Sequence, residues 1–387
     1  MKEEKIKYGM VGGGPGAFIG EIHRKAAALD GEIELVAGAF SSDPEKSILQ
    51  GNKLLLDTGR VYKSYQEMAE NESKLPKDKK IDFVSIVTPN NSHFQIIKSF
   101  IDAGINILCD KPLAITIEEA EEINKLVKKN NIIFGLTYNY TGYPMVKQAR
   151  EIIKLGKIGK IRKLVIEYPQ GWLSTYLEGK NMKQAVWRTD PKKAGISGCI
   201  GDIGSHSENL IHYIARLQIE EIFSDLTIFV PKRKLEDDGN VLIHFKEGAR
   251  GILYASQISA GEENNHKIRV YGEKGSIEWQ HDDQNSLHLK MLGEPELIYK
   301  RGNDYLEEIV KHNTRLPSGH PEAFIEAFSN IYLNFARTIK AIKNNKEPND
   351  FDLDFPKISD GVRGVYFINQ VVESSNKREW VNFNFKY

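Results

Sequence analysis

The sequence has little cysteine, no net charge and no long hydrophobic run, and each absence excludes a class of protein. Only Cys109 and Cys199 occur in 387 residues, with no C-x-x-C spacing, which argues against a disulfide framework or a structural zinc site. Lys plus Arg equals Asp plus Glu at 53 each, so no net field favours nucleic acid or an anionic membrane as a partner. The apolar runs are too short to span a membrane, and Met1-Lys2-Glu3-Glu4 does not lead into a signal-peptide core. We therefore expect a cytoplasmic protein that binds a small molecule.

The chain length favours two domains, each able to bury its own core. Over residues 1–137, short apolar runs alternate with amphipathic segments of helical length, which is typical of a parallel sheet with crossover helices. The predicted strands are Ile6–Val11, Ile33–Ala39, Phe83–Val87, Ile105–Leu108 and Ile132–Leu136. Helices are predicted near Ala17–Leu29, Tyr65–Glu70, Phe94–Ala103 and Ile117–Asn130, the last with Thr116 as its N-cap. This order predicts a doubly wound α/β domain.

The pattern changes at about Tyr138, where strand begins to follow strand through short turns. The predicted strands include Arg162–Tyr168, Val241–Phe245, Gly251–Ser259, Lys267–Tyr271 and Ser276–Trp279. Helices are predicted near Met145–Leu155, Ile203–Arg216, Pro321–Lys343 and Gly361–Glu373. Residues 138–387 are therefore predicted to form a second α/β domain with a large, mainly antiparallel sheet.

A glycine-rich segment directly follows the first strand. It reads Gly12-Gly13-Gly14-Pro15-Gly16-Ala17 and leads into a helix, which is the arrangement that a dinucleotide pyrophosphate requires. Gly12 permits the tight turn, Gly14 lets a phosphate approach the backbone, and Phe18-Ile19-Gly20 is read as an extension of the loop. The helix N-terminus adds donors and a favourable dipole. We predict cofactor contacts from Gly12, Gly14, Pro15, Gly16, Ala17, Phe18 and Ile19, with an ordinary strand-to-helix turn as the alternative.

The segment after the second strand leaves the choice between NAD and NADP open. An NAD-specific site usually has an acidic residue there, which binds the ribose 2′-hydroxyl. Here Ser41 and Ser42 can hydrogen-bond either a hydroxyl or a phosphate, and no arginine stands beside them. Asp43 is better explained as the cap of a helix that starts at Pro44. We predict that Ser41 and Ser42 contact the cofactor.

Two further segments stand at carboxyl ends of predicted strands, where open α/β sheets bind ligands. Thr88-Pro89-Asn90-Asn91-Ser92-His93 follows one strand, and Asp110-Lys111-Pro112 follows the next. We predict that the cofactor cleft is lined by Thr88, Pro89, Asn91, His93, Asp110 and Lys111. In the alternative, Ser92 caps a helix and His93 is an exposed residue of its first turn.

Asp202 and His206 lie four residues apart at the start of a predicted helix. This spacing places both side chains on one face, and a carboxylate beside an imidazole is a competent acid/base pair near neutral pH. In the alternative, Asp202 caps the helix and His206 is a buried, satisfied histidine. No third ligand at a recognisable spacing supports a metal site, and no G-x-S-x-G motif supports a nucleophilic serine. Aromatic rings and forked donors suited to a polyhydroxylated substrate are found at Asn139, Tyr140, Trp187 and Arg188.

Taken in order, four motifs resemble the glucose-fructose oxidoreductase, inositol dehydrogenase and rhizopine-catabolism (Gfo/Idh/MocA) family. They are the Gly12–Ala17 loop, the Thr88–His93 segment, Asp110-Lys111-Pro112 and Asp202-Ile203-Gly204-Ser205-His206, which matches the family's Asp-x-Gly-x-His. The family more often has Glu-Lys-Pro where this chain has Asp110-Lys111-Pro112. The resemblance covers nearly the whole chain, and it implies a Rossmann domain followed by an antiparallel α/β domain for substrate binding and oligomerisation.

The resemblance also implies a function. It places Lys111, Asp202 and His206 against the substrate and the nicotinamide, and the loop and the Trp187-Arg188 segment resemble a branch of sugar, glycoside and cyclitol dehydrogenases. We expect NAD(P)-dependent oxidation of a secondary hydroxyl on such a small polyhydroxylated substrate, without a metal, in a homodimer or homotetramer. The alternatives are an NAD-dependent enzyme that cleaves a glycosidic bond by transient oxidation and a non-catalytic NAD(P)-sensing protein.

Overall fold

The computed structural model describes residues 5–386. The strands, in chain order, are β1 Ile6–Gly12, β2 Ile33–Ala39, β3 Phe83–Val87, β4 Asn106–Cys109, β5 Phe134–Leu136, β6 Ile161–Pro169, β7 Ile219–Thr227, β8 Asp238–Phe245, β9 Arg250–Ser256, β10 Lys267–Gly272, β11 Gly275–Gln280, β12 Ser286–Met291, β13 Leu297–Lys300 and β14 Val381–Asn382. The α-helices are α1 Phe18–Ala28, α2 Pro44–Lys53, α3 Tyr65–Lys74, α4 His93–Asp102, α5 Ile117–Lys129, α6 Pro144–Lys154, α7 Lys183–Arg188, α8 Pro191–Ala194, α9 Ser205–Ala215, α10 Glu308–His312, α11 Phe324–Lys343 and α12 Ile358–Lys377.

The first five strands form a parallel sheet in the order β2-β1-β3-β4-β5. Every residue of β3 is buried, as expected for a central strand covered on both faces. The strand order reverses between β1 and β3, and in doubly wound sheets ligands bind outside the carboxyl ends of the strands at such a point. The glycine-rich segment and the Thr88–His93 segment both begin at this position.

The other nine strands form a second sheet in the order β13-β12-β11-β10-β6-β9-β8-β7-β14. All neighbouring pairs are antiparallel except β6 and β9, which run parallel. Buried residues alternate with more exposed ones along β8, so one face of this sheet is packed and the other is more open. The predicted fold class, a doubly wound parallel sheet followed by a mainly antiparallel one, is confirmed.

The chain forms two compact units. The first contains the described residues up to Ala114 together with Glu118–Gly142 and Phe324–Val362, and the second contains Ile115–Ile117, Tyr143–Ala323 and the residues from Arg363 onward. The predicted division into 1–137 and 138–387 treats each domain as one continuous stretch of sequence. The structure instead groups α11, a late helix, with the parallel sheet.

The helix α11 belongs to the first unit because its apolar face completes that unit's core. Phe328, Tyr332 and Phe335 are buried in one cluster with Tyr8 of β1 and Phe83 of β3. At the end of α11, polar contacts add to the packing: the Arg337 guanidinium pairs with Glu32 at 2.7 Å, and Lys343 pairs with Asp82 at 3.1 Å.

The strands predicted for residues 1–137 are confirmed to within two residues at either end, and so is the helix that starts at Pro44. In the second half, β7, β12, β13 and β14 fall in segments for which no strand was predicted. The described residues 5–386 include no helix that is long and apolar enough to cross a membrane.

Candidate active site

The glycine-rich turn after β1 leaves no room for side chains at two positions. Gly12 has φ +89°, and a Cβ built on it would lie 2.7 Å from the Val87 carbonyl oxygen. A Cβ on Gly14 would lie 2.6 Å from the Phe40 carbonyl oxygen, closer than van der Waals contact permits. Glycine is thus required at position 14 because the backbone of Phe40 lies against it. From the sequence we expected a different reason, the approach of a phosphate to the backbone. The bare backbone of this turn fits a dinucleotide pyrophosphate.

Helix α1 begins at Phe18 with no side-chain cap at its N-terminus. Phe18, Ile19 and Gly20 therefore form its first turn, which corrects the prediction that they extend the loop. Gly20 makes the close contact between the helix and the glycine-rich turn, because a Cβ on it would overlap Gly13. The Arg24 guanidinium donates from Nη1 to the Gly13 carbonyl oxygen at 3.0 Å and so ties the helix to the turn. Uncapped N–H groups at this N-terminus suit an anion.

The segment after β2 is held by its own side chains. The Asp43 carboxylate accepts from the backbone N–H groups of Glu45 and Lys46, and it pairs with the Lys46 ammonium at 3.0 Å. The hydrogen bond from Lys46 holds the pKa of the Asp43 carboxyl below its usual value. Ser41 Oγ accepts from the Asp43 N–H at 3.1 Å, while Ser42 is exposed. The predicted capping role of Asp43 is confirmed.

His93, the first residue of α4, is fully buried. Its Nδ1 lies 2.8 Å from the Pro112 carbonyl oxygen, and its Nε2 lies 2.9 Å from the Thr88 carbonyl oxygen. Burial lowers the pKa of the imidazole. The prediction that His93 lines the cofactor cleft is therefore wrong, as is the alternative of an exposed first-turn residue. His93 instead connects the segments that follow β3 and β4.

The segments that follow β3 and β4 are further fixed by local hydrogen bonds. Ser92 Oγ donates to Thr88 Oγ1 at 2.7 Å and makes no capping bond to α4, whereas Pro89 and Asn91 are exposed. Asp110 Oδ1 accepts from the Lys111 N–H and from the Thr137 hydroxyl, both at 2.9 Å. These bonds position Lys111, which lies in the first unit and is partly exposed.

Asp202 and His206 lie in the second unit, where a π-helical turn over Ile200–Gly204 runs directly into α9. Neither the turn nor α9 has a side-chain cap, so the alternative of Asp202 as a helix cap is wrong. Asp202 Oδ2 accepts from Arg188 Nε at 3.1 Å and from Gln257 Nε2 at 2.8 Å. His206 is 8 % exposed, and its ring lies 6.4 Å from the Tyr168 ring.

A buried carboxylate anchors the turn that carries Asp202. Glu236 Oε1 accepts from the Gly198 N–H at 2.8 Å, from the Ile200 N–H at 3.2 Å and from the Ser197 hydroxyl. Burial raises the pKa of Glu236 in spite of these donors. Sequence reasoning missed Glu236 and Gln257, because each contacts the turn from more than thirty residues away and no local motif marks it.

Trp187 and Arg188 end α7 and are half-buried. The Arg188 guanidinium carbon lies 4.2 Å from the Trp187 ring centre and 5.8 Å from that of Trp172, and Nη1 donates to Gln184 Oε1 at 2.7 Å. The two indole rings and the guanidinium therefore form one cluster next to Asp202. Trp172 belongs to this cluster and was not predicted.

Asn139 and Tyr140 lie in a 3-10 turn of the first unit and are buried, with exposures of 3 % and 2 %. The buried Tyr140 ring does not offer the aromatic surface that was predicted for it. The Asn139 side-chain nitrogen has no hydrogen-bond acceptor among the residues 5–386, so Asn139 stays a candidate for a ligand contact. Residues 5–386 contain no group of three or more His, Cys, Asp or Glu side chains that could hold a metal ion.

Both halves of the chain match models of one protein family. Residues 6–140 match the model described as an oxidoreductase family with an NAD-binding Rossmann fold, and residues 146–278 match the GFO/IDH/MocA C-terminal domain. The chain belongs to the Gfo/Idh/MocA oxidoreductase family. It is an NAD(P)-dependent dehydrogenase.

Relatives and solved structures match over almost the full length. The uncharacterized oxidoreductase YfiI of Bacillus subtilis is 38% identical over 383 residues, covering 98% of this chain and 97% of the relative. Levoglucosan dehydrogenase of Pseudarthrobacter phenanthrenivorans is 25% identical, with 98% of each chain covered. The crystal structure of an inositol dehydrogenase homologue from Azotobacter vinelandii, in complex with NAD+, superposes with a TM-score of 0.93 at 36% identity and covers 98% of each chain.

Proposed function

We propose that the protein oxidises one secondary hydroxyl of a cyclitol or sugar ring to a ketone, with NAD as the hydride acceptor. One observation carries this proposal: Asp202, which precedes His206 by four residues, is bonded to the Arg188 guanidinium, and that guanidinium lies against two indole rings. Indole faces pack against the C–H faces of sugar and cyclitol rings, and forked N–H donors bind their hydroxyls. An acid/base pair beside such a surface suits the removal of a hydroxyl proton.

Different residues of the chain would bind the cofactor and carry out the proton transfer. The Gly12–Ala17 turn and the N-terminus of α1 would hold the pyrophosphate. When bound, the nicotinamide supplies the redox chemistry by accepting the hydride from the ring carbon. His206 takes the hydroxyl proton, Asp202 orients the hydroxyl, and Lys111 donates to the same oxygen and stabilises the developing alkoxide charge.

The segment after β2 supports NAD in preference to NADP. A 2′-phosphate needs a cation near the end of β2, and the nearest lysine in sequence, Lys46, already pairs with Asp43. No arginine occurs between Ala39 and Gly51. The Ser41 and Ser42 hydroxyls suit a ribose 2′-hydroxyl. The Azotobacter homologue was also crystallised with NADH and myo-inositol, which makes myo-inositol the first substrate to test.

The test is a matrix of NAD and NADP against myo-inositol, levoglucosan, D-xylose and a methyl glucoside, followed by NADH absorbance. We expect a steady increase with NAD and at least one cyclitol or sugar, and a weaker response or none with NADP. Release of methanol from the glucoside without net NADH formation would instead identify a glycoside-cleaving enzyme. Cofactor binding without turnover of any substrate would contradict the proposal and indicate a sensing protein.

The more open face of the nine-stranded sheet supports assembly with further copies of the chain. Leu242 and Tyr271 on its strands are 44% and 38% exposed. A closed homodimer or homotetramer that covers this face is part of the proposal, as is a cytoplasmic location. Light scattering during size exclusion gives the number of copies, and fractionation of cells gives the location.

A further inference from the structure

The two donors to Asp202 converge on the same oxygen. Arg188 Nε and Gln257 Nε2 both point at Oδ2, at 3.1 and 2.8 Å. A carboxylate that accepts two bonds at one oxygen cannot turn about its Cβ–Cγ bond without breaking both. The side chains are partly buried, 23% exposed for Arg188 and 16% for Asp202, so water replaces these bonds poorly.

Arg188 joins this carboxylate to the indole rings. Its guanidinium packs on Trp187 and faces Trp172 while Nε is engaged by Asp202, and Nη1 is held by Gln184. The planar guanidinium therefore has a fixed orientation. Any shift of α7 that moves the rings also moves Nε relative to Asp202.

Gln257 makes the same connection from the other side. Its backbone carbonyl accepts from the Leu173 N–H at 3.0 Å, directly beside Trp172, while its side chain donates to Asp202. Its own N–H donates to the Asp237 carbonyl oxygen at 2.9 Å, which fixes it to the entrance of β8. Arg188 and Gln257 thus each connect the Asp202 carboxylate to a segment that carries a tryptophan ring.

We propose that Arg188 and Gln257 are positioning residues that hold the Asp202 carboxylate in one orientation relative to the Trp172 and Trp187 rings. This inference rests on the proposed function, in which Asp202 orients the reacting hydroxyl. A polyol bound against the rings would then meet an oxygen of Asp202 at a fixed place. This arrangement of Arg188, Gln257 and Asp202, the clamp, contributes to the rate by fixing the orientation of Asp202 relative to the substrate.

Other titratable groups lie near the turn that carries Asp202 and also affect the pH dependence of the rate. His206 follows Asp202 by one helical turn, Glu236 anchors the same turn, and Asp238 begins β8. The thiol of Cys199 has its pKa raised by burial first and then by Glu236 and the neighbouring acids, Asp202 among them. Arg188 is the cation paired with Asp202, so removing it leaves the surroundings more negative.

The test compares kcat/KM across pH for the full-length enzyme with NAD and myo-inositol, or levoglucosan if myo-inositol is not turned over. In Arg188→Met we expect kcat/KM to fall about ten- to a hundredfold, and its acid limb to move to higher pH because the carboxylate has lost its cation. Arg188→Lys keeps the charge and should restore the position of the acid limb without restoring the rate. Gln257→Leu should lower kcat/KM about tenfold with a smaller shift.

Arg162→Met serves as the matched control, because Arg162 lies in the same unit, is 68% exposed and pairs only loosely with Glu273 at 3.7 Å. It should leave the profile unchanged. Wild-type rates and pH profiles in both Arg188→Met and Gln257→Leu would overturn the proposal. An equal loss in all variants with no shift of the acid limb would also overturn it, since that pattern reflects general loss of structure.

A separate measurement distinguishes failure of the clamp from failure of the proposed function. The free energy of unfolding is measured for Arg188→Met, Asp202→Asn and the double variant in the absence of substrate. Coupling between the two changes supports the clamp even if the wild type oxidises none of the substrates. Additive effects mean that the pair does not exist in solution, and the inference then fails whatever the enzyme oxidises.

Discussion

The imidazole of His93 lies 2.8 Å from the carbonyl oxygen of Pro112, a residue that follows the neighbouring strand. Its second nitrogen faces the Thr88 carbonyl oxygen, so a single buried ring joins the segments after β3 and β4. Lys111 precedes Pro112, and its backbone is therefore held by a residue whose side chain is fully buried. The position of the proposed oxyanion donor depends on this ring.

We expect His93→Ala to reduce both stability and activity. The change removes a buried ring with its hydrogen bonds, which costs about 2–4 kcal/mol of unfolding free energy. The loosened Lys111 segment should lower kcat more than it raises the KM for NAD. Chemical denaturation and steady-state kinetics measure the two effects. Unchanged kcat in a folded His93→Ala protein would contradict the positioning role, and the exposed His320→Ala is the control for a histidine change.

Gly14→Ala should weaken cofactor binding. The added methyl group would collide with the Phe40 carbonyl oxygen, so the turn must shift away from β2. We expect the Kd for NADH to rise at least about tenfold, because the backbone donors no longer converge on one phosphate. Titration of NADH fluorescence measures it. Gly31→Ala is the matched glycine control, although its φ of +70° makes a modest loss of stability expected there.

His206→Ala should remove the general base. Turnover is expected to fall about a hundredfold or more while the Kd for NADH stays the same, because His206 lies outside the Rossmann unit. Stopped-flow hydride transfer and NADH titration separate the two quantities. Turnover equal to the wild type would exclude His206 as the base.

Lys111→Met should lower the rate without unfolding the protein. Methionine keeps the apolar stem and removes the ammonium, so the alkoxide loses its donor and kcat should fall about a hundredfold. Thermal unfolding provides the control, with a change in Tm of a few degrees at most. A large loss of Tm with proportionate loss of activity would favour a structural role for Lys111.

The pH dependence of stability should show the buried His23. Burial lowers its pKa from 6.5 to about 4, and its Nδ1 lies 2.7 Å from the Tyr332 hydroxyl. The unfolded chain therefore binds a proton that the folded chain refuses between these values. The stability that His23 contributes is fully present above pH 6.5 and is lost as pH falls toward 4, at about 1.4 kcal/mol per pH unit.

We expect the unfolding free energy of His23→Gln to fall less steeply than that of the wild type between pH 6.5 and 4. Urea denaturation at several pH values measures the two slopes, and the constant cost of the substitution cancels. Equal slopes would show that His23 is not held neutral. The exposed His320→Gln should keep the wild-type slope.

The first unit was predictable because its signals are local. β1 and β3 are nearly continuous apolar runs, and the glycine-rich turn stands directly after β1. In contrast, β7 begins Ile219-Glu220-Glu221, which interrupts the apolar alternation, and β13 has only four residues, too few to show a period. These strands form through pairing with neighbours that the local sequence does not reveal.

The candidate site divides in the same way. Asp202 and His206 could be paired from the sequence because they are four positions apart, the spacing of one helical turn. Gln257 lies 55 residues from Asp202, and Arg188 was predicted as a ligand contact without its carboxylate partner. His93 was predicted to line the cleft because its segment follows the carboxyl end of a strand, whereas its ring is buried. The partners of Asp202 and the burial of His93 depend on long-range contacts and on the direction of single side chains, which the motifs do not specify.

The return of α11 to the first unit has a consequence for synthesis on the ribosome. Residues 5–142 contain all five strands of the parallel sheet, but Phe328, Tyr332 and Phe335 of its core come nearly two hundred residues later. Until α11 emerges, Tyr8 and Phe83 lack their aromatic neighbours on that side. The nucleotide-binding domain therefore completes its core only after the second sheet has been translated, and its apolar face on that side stays uncovered until then.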